Sequence, residues 1–436
     1  MPRKHQHAPL RILLNNRLVG YLLKEPGGAI EFRYEKSWLD WDRAIPVSLS
    51  LPLREDAYRG APVIAVFENL LPDSDKLRRR IAQKVSADGI DAYSLLSQIG
   101  RDCVGALQFI PDDEGHDNGN HDTSRIEGVI VNNEEIETLL KNLVQAPLGL
   151  NRDQDFRISV AGAQEKTALL WYDGKWLKPQ GTTPTTHIFK TKIGTLPNGI
   201  DLSNSVENEF LCLKLMAAFG LAVNAAEIKT FGSIKALVVE RFDRKWTEDG
   251  RLLRLPQEDC CQALSIPPSR KYQNENGPGM VDILNLLKGS DTPEDDQKRF
   301  IKAQILFWLI GATDGHAKNF SIFLGPGGRF NMTPLYDVLT AQPSLDAHQI
   351  IQKQMKLAMS VGDSRHYTLR YIQGRHYEQT AKRAGLPTVL ARTVLEEVAV
   401  GAETALASLE AQLPPDFPVQ LYASVCNGLR SRLAQI

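Results

Sequence analysis

Short apolar runs separated by turn residues fill much of the first 245 residues, and this pattern constrains the fold more than any other feature of the sequence. Asn15–Asn16 and Gly27–Gly28 separate the first three runs, whereas Asp173–Gly174 and Gly232–Ser233 each divide a later pair. Such residues tolerate the backbone conformation of tight two-residue turns, so they are a strong local signal for β-hairpins. The pattern predicts small antiparallel sheets.

Helical periodicity dominates the sequence from Pro256 onward. Helices are predicted there over 257–265, 279–288, 293–312, 365–384, 388–411 and 416–434. A strand pair around Gly325–Gly328 interrupts them, and two earlier helices are predicted around Ala65–Leu71 and Asp75–Val85. The sequence therefore predicts an α+β fold with an α/β N-terminal part and a helical C-terminal part.

One helix is predicted inside the second group of hairpins. It is expected to be amphipathic, with apolar residues at helical spacing at Val206, Phe210, Leu213 and Ala217. Asn204 and Glu207 fit an N-cap and its N3 partner, and Gly220 fits the helix end.

Composition excludes several functional classes. The 436 residues contain 51 Lys and Arg against 52 Asp and Glu, so the net charge of −1 gives no global attraction to DNA or membranes. The five cysteines lack the paired spacing of a zinc site and are interpreted as reduced thiols. No apolar run reaches the length of a membrane span, and we expect a cytoplasmic protein.

The stretch FWLIGATDGHAKNFSIF, residues 307–323, carries the strongest chemical signal. An apolar helix there leads into a polar loop with Asp314 and Asn319, and Asp337 ends the second strand of the following hairpin. Phosphoryl transfer needs a carboxylate for the attacking hydroxyl and oxygen ligands for Mg²⁺, which these three side chains would supply if they converge. The alternative is that all three are ordinary turn residues.

A kinase also needs a cation for the phosphates of ATP. Lys190 ends an alternating strand and could pair with Glu209 on the next helix, as in protein kinases, although a surface salt bridge is the alternative. Backbone amides around Gly162 could hold phosphates, or this segment is a bulged hairpin. Ser159 beside it is either a structural hydroxyl or a phosphate acceptor.

Other residues near these motifs have two interpretations each. His316 either orients Asp314 or makes a simple loop hydrogen bond, and Lys318 either neutralises the transferred phosphate or faces water. The string VVERFD, residues 238–243, either offers backbone groups to adenine or is an ordinary strand end.

Longer strings resemble one family over nearly the whole chain. The strings are ENLLPDS (68–74), LLSQIGRDCVGAL (95–107), DFRISVAGAQEKTALL (155–170), TPTTHIFK (183–190), VVERFD (238–243), LRLPQEDCCQ (253–262) and WLIGATDGHAKNFSIF (308–323). They resemble the HipA family of serine/threonine-protein kinase toxins from bacterial toxin–antitoxin modules. The resemblance implies a protein-kinase-like fold in two parts. We divide the chain into an N-terminal subdomain (1–112), a connector (113–150), an N-lobe-like part (151–245) and a C-lobe-like part (246–436).

The resemblance also implies roles for individual residues. Asp314 corresponds to the catalytic base, and Asn319 and Asp337 correspond to Mg²⁺ ligands; from their place on the loop, we count His316 and Lys318 as further catalytic residues. The implied ATP-binding residues are Ser159, Val160, Ala161, Gly162, Ala163, Gln164, Glu165, Lys166, Lys190, Glu209, Glu240, Phe242, His316 and Asn319. Ser159 corresponds to an autophosphorylation site, where added negative charge would repel the phosphates of ATP.

Partners follow from the same resemblance. Members of the family phosphorylate glutamyl-tRNA synthetase, bind a small helix-turn-helix antitoxin dimer of the HipB type, and co-repress their operator DNA with it. Lys382 and Arg383 are the implied DNA contacts, and the complex would be associated with the nucleoid. The alternatives are a catalytically weak co-repressor and a small-molecule kinase. The intact Asp314 and Lys190 favour an active kinase over a binding module.

Overall fold

The computed structural model describes residues 7–112, 126–150, 158–159, 161 and 164–436. Its first part contains an antiparallel sheet of order β4-β3-β2-β1-β5. The strands are β1 (Leu10–Leu14), β2 (Arg17–Lys24), β3 (Ile30–Tyr34), β4 (Tyr58–Arg59) and β5 (Leu107–Pro111). Asn15 and Asn16 both adopt positive φ, which is the conformation of a tight hairpin turn, so the first predicted hairpin is confirmed.

Four helices cover this sheet. They are α1 (Lys36–Leu39), α2 (Ala61–Glu68), α3 (Asp75–Val85) and α4 (Ala92–Ile99). The helix predicted around Ala65–Leu71 begins earlier, at Ala61, because Pro62 occupies a first-turn position where its missing N–H costs nothing. The predicted bounds of α3 are confirmed, and its N-cap Ser74 accepts a hydrogen bond from Leu77 N.

A second antiparallel sheet has the order β12-β13-β9-β7-β8-β6. Its strands are β6 (Gly128–Val131), β7 (Lys166–Tyr172), β8 (Lys175–Pro179), β9 (His187–Thr191), β12 (Ala226–Phe231) and β13 (Ile234–Glu240), and a small pair is formed by β10 (Gly194–Thr195) and β11 (Asp201–Leu202). Both predicted hairpins are confirmed. Part of the segment predicted as a connector forms β6 and the helix α5 (Asn133–Lys141), which packs on this sheet.

Helix α6 (Ser205–Ala218) is the predicted embedded helix, but it is not amphipathic. Its side chains are buried on almost every side because it lies between the second sheet and the C-terminal helices. Asn204 is the N-cap by position without a side-chain capping bond, and Glu207 instead accepts a hydrogen bond of 2.6 Å from Lys235. Gly220, at φ 82°, follows the helix end as predicted.

The C-terminal part is mainly helical and also contains short strands. Its helices are α7 (Cys260–Ala263), α8 (Met280–Leu287), α9 (Pro293–Ile310), α10 (Gln342–Asp346), α11 (Gly374–Arg383), α12 (Thr388–Glu410) and α13 (Val419–Leu433). Its strands are β14 (Arg244–Trp246), β15 (Leu252–Arg254), β16 (Gln257–Asp259), β17 (Ser321–Leu324), β18 (Phe330–Met332), β19 (Lys356–Val361) and β20 (His366–Thr368). The predicted α+β class is confirmed.

Two predicted C-terminal helices are wrong in part. Residues 257–259 form β16, because they pair with β17 of the predicted hairpin, and only Cys260–Ala263 is helical. The predicted helix 365–384 begins at Gly374, because His366–Thr368 pairs with β19 instead.

Separate apolar cores lie under these layers. The largest surrounds α6 and α9, and the next fills the space between the first sheet and its helices. All five cysteines are buried free thiols. Within the described ranges, none of the helices has the length and apolar character needed to cross a bilayer.

Candidate active site

A cavity of about 780 Å³ separates the second sheet from the helical part. That volume is within the usual range of small-molecule sites. Most of the predicted site residues line it, although they come from distant parts of the chain: Ala161, Gln164, Glu165, Lys166, Lys190, Glu209, Phe242, Asp314, His316, Lys318, Asn319 and Asp337.

A lysine held between two carboxylates lies in the wall of this cavity. Lys190 Nζ lies 2.7 Å from Glu209 Oε1 and 2.8 Å from Asp337 Oδ1, so the predicted pairing of Lys190 with Glu209 is present and is buried rather than at the surface. Burial alone would lower the pKa of Lys190, but the carboxylates of Asp337 and Glu209 outweigh it and raise this pKa. The ammonium is therefore kept charged where it faces the cavity.

Asp337 follows the hairpin β17–β18, which returns the chain to the cavity. Its backbone φ of 57° is in the left-handed region, which residues other than glycine seldom adopt outside turns and functional sites. Burial raises the pKa of Asp337, whereas Lys190 and Lys166 lower it and dominate. The side chain stays ionised and is 37% exposed toward the cavity.

The loop after α9 has a shape fixed by its own backbone and by two glycines. Gly311 ends α9 at φ 74°, and a side chain at Gly315 would collide with the ring of Phe307. Asp314 O accepts hydrogen bonds from His316 N at 2.8 Å and from Asn319 Nδ2 at 2.9 Å. The carboxylate of Asp314 and the amide of Asn319 are thereby held on one short loop that lines the cavity.

Residues that the sequence interpretation missed surround this loop. Tyr272 Oη donates a hydrogen bond of 2.5 Å to Asp314 Oδ1, and its ring packs edge-on against His316. Lys318 Nζ lies 2.7 Å from Asp73 Oδ1, and Lys271 Nζ lies 2.7 Å from Asp73 Oδ2. Asp73 lies in the string ENLLPDS, which was a signal of family resemblance but not of a role.

His316 and Lys318 are both buried in the loop. Burial lowers the pKa of His316 more strongly than the nearby Asp314 raises it, which favours a neutral ring. Among the described residues its Nδ1 atom has no hydrogen-bond partner. The simple loop hydrogen bond considered for this side chain is therefore not found at Nδ1, and Lys318 pairs with Asp73 rather than facing water.

The predicted phosphate-binding segment lies only partly within the described residues, because Val160, Gly162 and Ala163 fall outside them. Ser159 is fully buried, and its Oγ donates a hydrogen bond of 2.7 Å to Leu70 O of the N-terminal part. Lys166 Nζ donates to Ala161 O, and Glu165 pairs with Arg80.

The string VVERFD has a mixed outcome. Phe242 lines the cavity and packs against Phe323 and Tyr336. Glu240 ends β13 with an exposed side chain that is not part of the cavity wall. Arg241 and Asp243 also line the cavity, but their side chains are buried in an ion cluster with Asp102.

Lys382 and Arg383 lie at the end of α11, away from the cavity wall. Both side chains are exposed, and Arg383 Nη1 donates to Gly362 O. A DNA contact by these residues stays a prediction, as do the assigned roles of the cavity residues and the division into four parts.

Comparison with known proteins identifies the family. Residues 10–110 match the HipA N-terminal domain, and residues 158–406 match the HipA-like C-terminal domain. The putative kinase Y4mE of Sinorhizobium fredii is 34% identical over 88% of this chain and 87% of its own. The serine/threonine-protein kinase toxin HipA of Shewanella oneidensis is 29% identical over 86% of this chain and 84% of its own.

A solved structure agrees with the same assignment. The HipA chain in the complex of Shewanella oneidensis HipA, HipB and operator DNA superposes with a TM-score of 0.79 and 25% identity, covering 98% of this chain and 96% of that chain. The predicted family, two-part fold and enzyme class agree with these relatives. Since both family domains match and together extend over most of the sequence, this chain belongs to the HipA family.

Proposed function

We propose that this protein is a Mg²⁺- and ATP-dependent serine/threonine protein kinase that acts as the toxin of a toxin–antitoxin module. The observation that carries the proposal is the contact of Lys190 with both Glu209 and Asp337 at the cavity. A strand lysine paired with a helix glutamate positions the phosphates of ATP in protein kinases. A protein that only binds its antitoxin has no need to present a paired lysine and a partly exposed carboxylate to a cavity of this size.

The donor set fits Mg²⁺ and ATP. Asp337 offers a partly exposed carboxylate. Asn319 donates its Nδ2 hydrogen bond to Asp314 O, which leaves the amide oxygen of Asn319 for a cation. Mg²⁺ prefers such oxygen ligands and usually completes its coordination with phosphates and water. Lys190 and Lys166 would hold the phosphates, and Phe242 would contact the base at the cavity wall.

Bound ATP supplies the phosphoryl group, and the residues of this chain orient the acceptor. The carboxylate of Asp314 is exposed in the cavity and would accept the proton of the attacking serine or threonine hydroxyl. Lys318 and His316 follow it on the same loop, where Lys318 adds positive charge near the transferred group.

We further propose autophosphorylation at Ser159. A fully buried serine whose Oγ is bonded to Leu70 O has no room for a phosphate, so modification requires this residue to leave its site. The two added charges would then disfavour return beside a segment that holds phosphates. Modification would thereby reduce activity.

The proposed partners come from the relatives. We infer a HipB-like antitoxin dimer, operator DNA bound through that complex with Lys382 and Arg383 near its phosphates, and glutamyl-tRNA synthetase as the protein substrate. Support comes from the Shewanella oneidensis complex, which contains HipB and operator DNA. The protein would act in the cytoplasm, and at the nucleoid when bound as co-repressor.

Transfer of labelled γ-phosphate from ATP tests the activity. The purified protein should label itself, mainly at Ser159, and should require Mg²⁺, because the carboxylate of Asp337 and the amide oxygen of Asn319 can hold phosphates only through a bridging cation. The variant Asp314→Asn should lose about 10²- to 10⁴-fold in rate, which is the usual contribution of a positioned acid or base.

Asp295→Asn is the matched control, because Asp295 is exposed in the first turn of α9, the helix that leads to the loop. It should label at the wild-type rate. An unchanged rate in Asp314→Asn would refute the assigned base, whereas a phosphate mapped to another residue would refute only the Ser159 site. Adding glutamyl-tRNA synthetase, with and without tRNA, then tests the substrate. A protein that binds the antitoxin and operator but transfers no phosphate would instead be a co-repressor.

A further inference from the structure

Two lysines next to the candidate active site share one carboxylate from the N-terminal part of the chain. Asp73 Oδ1 lies 2.7 Å from Lys318 Nζ, and Asp73 Oδ2 lies 2.7 Å from Lys271 Nζ. Asp73 belongs to the turn between α2 and α3, far from both lysines in sequence. The N-terminal part therefore contributes a charged side chain to the wall of the kinase cavity.

Each lysine is close to Asp314, either along the chain or through one neighbouring residue. Lys318 lies on the same loop as Asp314, within one turn of 3₁₀-helix formed by Ala317–Asn319. Lys271 precedes Tyr272, whose hydroxyl donates to Asp314 Oδ1 and whose ring packs 4.9 Å from the ring of His316. Asp73 thus connects the two segments that flank the candidate base.

The ion pairs of Asp73 are buried well enough to fix the positions of the two lysine side chains. The side chain of Lys318 is only 6% exposed and that of Asp73 only 12% exposed, so both charges are largely removed from water and depend on each other. Burial would raise the pKa of Asp73, but the positive charges of Lys318 and Lys271 lower this pKa by more than burial raises it. The carboxylate is therefore kept ionised. A buried carboxylate with two ammonium partners leaves few alternative geometries for either lysine.

We propose that Asp73 is a positioning residue for phosphoryl transfer, through which the N-terminal part holds Lys318 and the Tyr272 segment against Asp314. This inference rests on the proposed kinase activity. It gives the N-terminal part a role in the chemical step itself, in addition to its contact with the phosphate-binding segment through Leu70. Asp73 acts through other residues and need not touch ATP or the acceptor.

The test is the isosteric variant Asp73→Asn, assayed for phosphoryl transfer over a range of ATP concentrations. The variant should lower kcat by roughly 100-fold, because a small displacement of a catalytic group has effects of that order, and should leave KM for ATP within about twofold. A variant that is merely destabilised would contain fewer folded molecules, but its kcat per folded molecule would not change. Thermal unfolding measures the folded fraction separately.

Glu397→Gln is the matched control, because Glu397 also lies between two lysines, with Lys298 at 2.6 Å and Lys302 at 3.8 Å, but on α12 outside the cavity wall. It should keep wild-type kcat and KM. Tyr272→Phe removes only the hydroxyl that reaches Asp314 and should lower kcat by about tenfold with KM for ATP unchanged, which keeps the inference testable if Asp73→Asn does not fold.

Hydrogen exchange of the amides in 271–277 and 314–320 provides a measurement that does not depend on activity. Exchange there should be faster in Asp73→Asn than in the wild type and unchanged in Glu397→Gln. Normal kcat in both Asp73→Asn and Tyr272→Phe, or a parallel rise of KM, would overturn the inference while leaving the kinase intact. If the wild type transfers no phosphate, the proposed activity fails, and unchanged exchange in Asp73→Asn would then show that Asp73 does not hold the loop either.

Discussion

Two clusters of buried, paired charges lie close together in this protein and differ in one respect. The first, which we call the sealed cluster, joins the segment between α4 and β5 to the chain after β13 and consists of Asp102, Arg241, Asp243, Arg244 and Arg254. The second, the open cluster, consists of Lys190, Glu209 and Asp337. The side chains of the sealed cluster are at most 5% exposed, whereas Asp337 in the open cluster is 37% exposed.

That difference separates a structural role from the proposed chemical one. Removing charges from water is expensive, so both clusters need internal pairing and both have strongly shifted pKa values. Only the open cluster has a carboxylate that is well exposed in the cavity: Asp337 is 37% exposed, whereas Asp243 of the sealed cluster lines the same cavity but is only 5% exposed. Burial, pairing and a shifted pKa therefore do not mark a candidate site by themselves, and the exposure of a charged side chain in the cavity is the observation that separates the two clusters.

The largest expected effect is the loss of protein stability when the sealed cluster loses a carboxylate. Asp102→Asn would leave Arg241, Arg244 and Arg254 with one carboxylate fewer, and removal of one partner from a buried ion group costs about 3–5 kcal/mol. We expect a clear decrease in the urea midpoint, while kcat per folded molecule changes by less than about twofold. Glu403→Gln, which breaks an exposed pair with Arg430, should unfold at the wild-type urea concentration. A variant that keeps its midpoint but loses kcat would erase the distinction between the clusters.

The open cluster should show the opposite behaviour. Asp337→Asn keeps the shape of the side chain and leaves Lys190 paired with Glu209, so the change in stability should be smaller than in Asp102→Asn. Loss of the proposed metal-ligand charge should lower kcat by about 10²- to 10³-fold, the usual effect of removing one preorganised electrostatic contact. Phosphoryl transfer and thermal unfolding measured on the same sample decide this. A transfer rate within tenfold of the wild type would remove Asp337 from the proposed metal site.

Local patterns in the sequence predicted much of the fold. The hairpins at Asp173–Gly174 and Gly232–Ser233, the bounds of α3 and the return of Asp337 to the cavity that Asn319 also lines all depend on neighbouring residues or on a short hairpin. The error in α6 has a tertiary cause, because periodicity describes one apolar face whereas packing buries the others.

Contacts between distant segments could not be predicted in the same way. No local pattern relates Asp73 to Lys318, which is 245 residues away, or Tyr272 to Asp314. The string VVERFD shows the same limit, since its position suggested a nucleotide hinge while Arg241 and Asp243 serve the sealed cluster. Phe242, between them, is the one residue of that string whose ring packs at the cavity with Tyr336.

The smallest expected effect is the pH dependence of activity caused by Lys166, which together with Lys190 is proposed to hold the phosphates. Burial, reinforced by the positive charge of Lys190, lowers the pKa of Lys166 to about 8. If the charged form binds the phosphates, kcat/KM for ATP should be level well below pH 8, be halved near pH 8 and fall about tenfold per pH unit well above it. In Lys166→Arg the side chain stays charged, so its profile should not fall in this range. Identical profiles for the two proteins between pH 7.5 and 9.5 would refute the assignment.

Stability should change in the opposite direction over the same range. The unfolded chain keeps Lys166 protonated up to its ordinary pKa of 10.5, whereas the folded protein releases the proton near pH 8. Between these values the unfolded state binds more protons, so the contribution of this group to the free energy of unfolding increases with pH. A lysine whose charged form supports catalysis and opposes folding is expected beside the open cluster and not in the sealed one, because the proposed ATP would bring a phosphate partner to the open cluster alone.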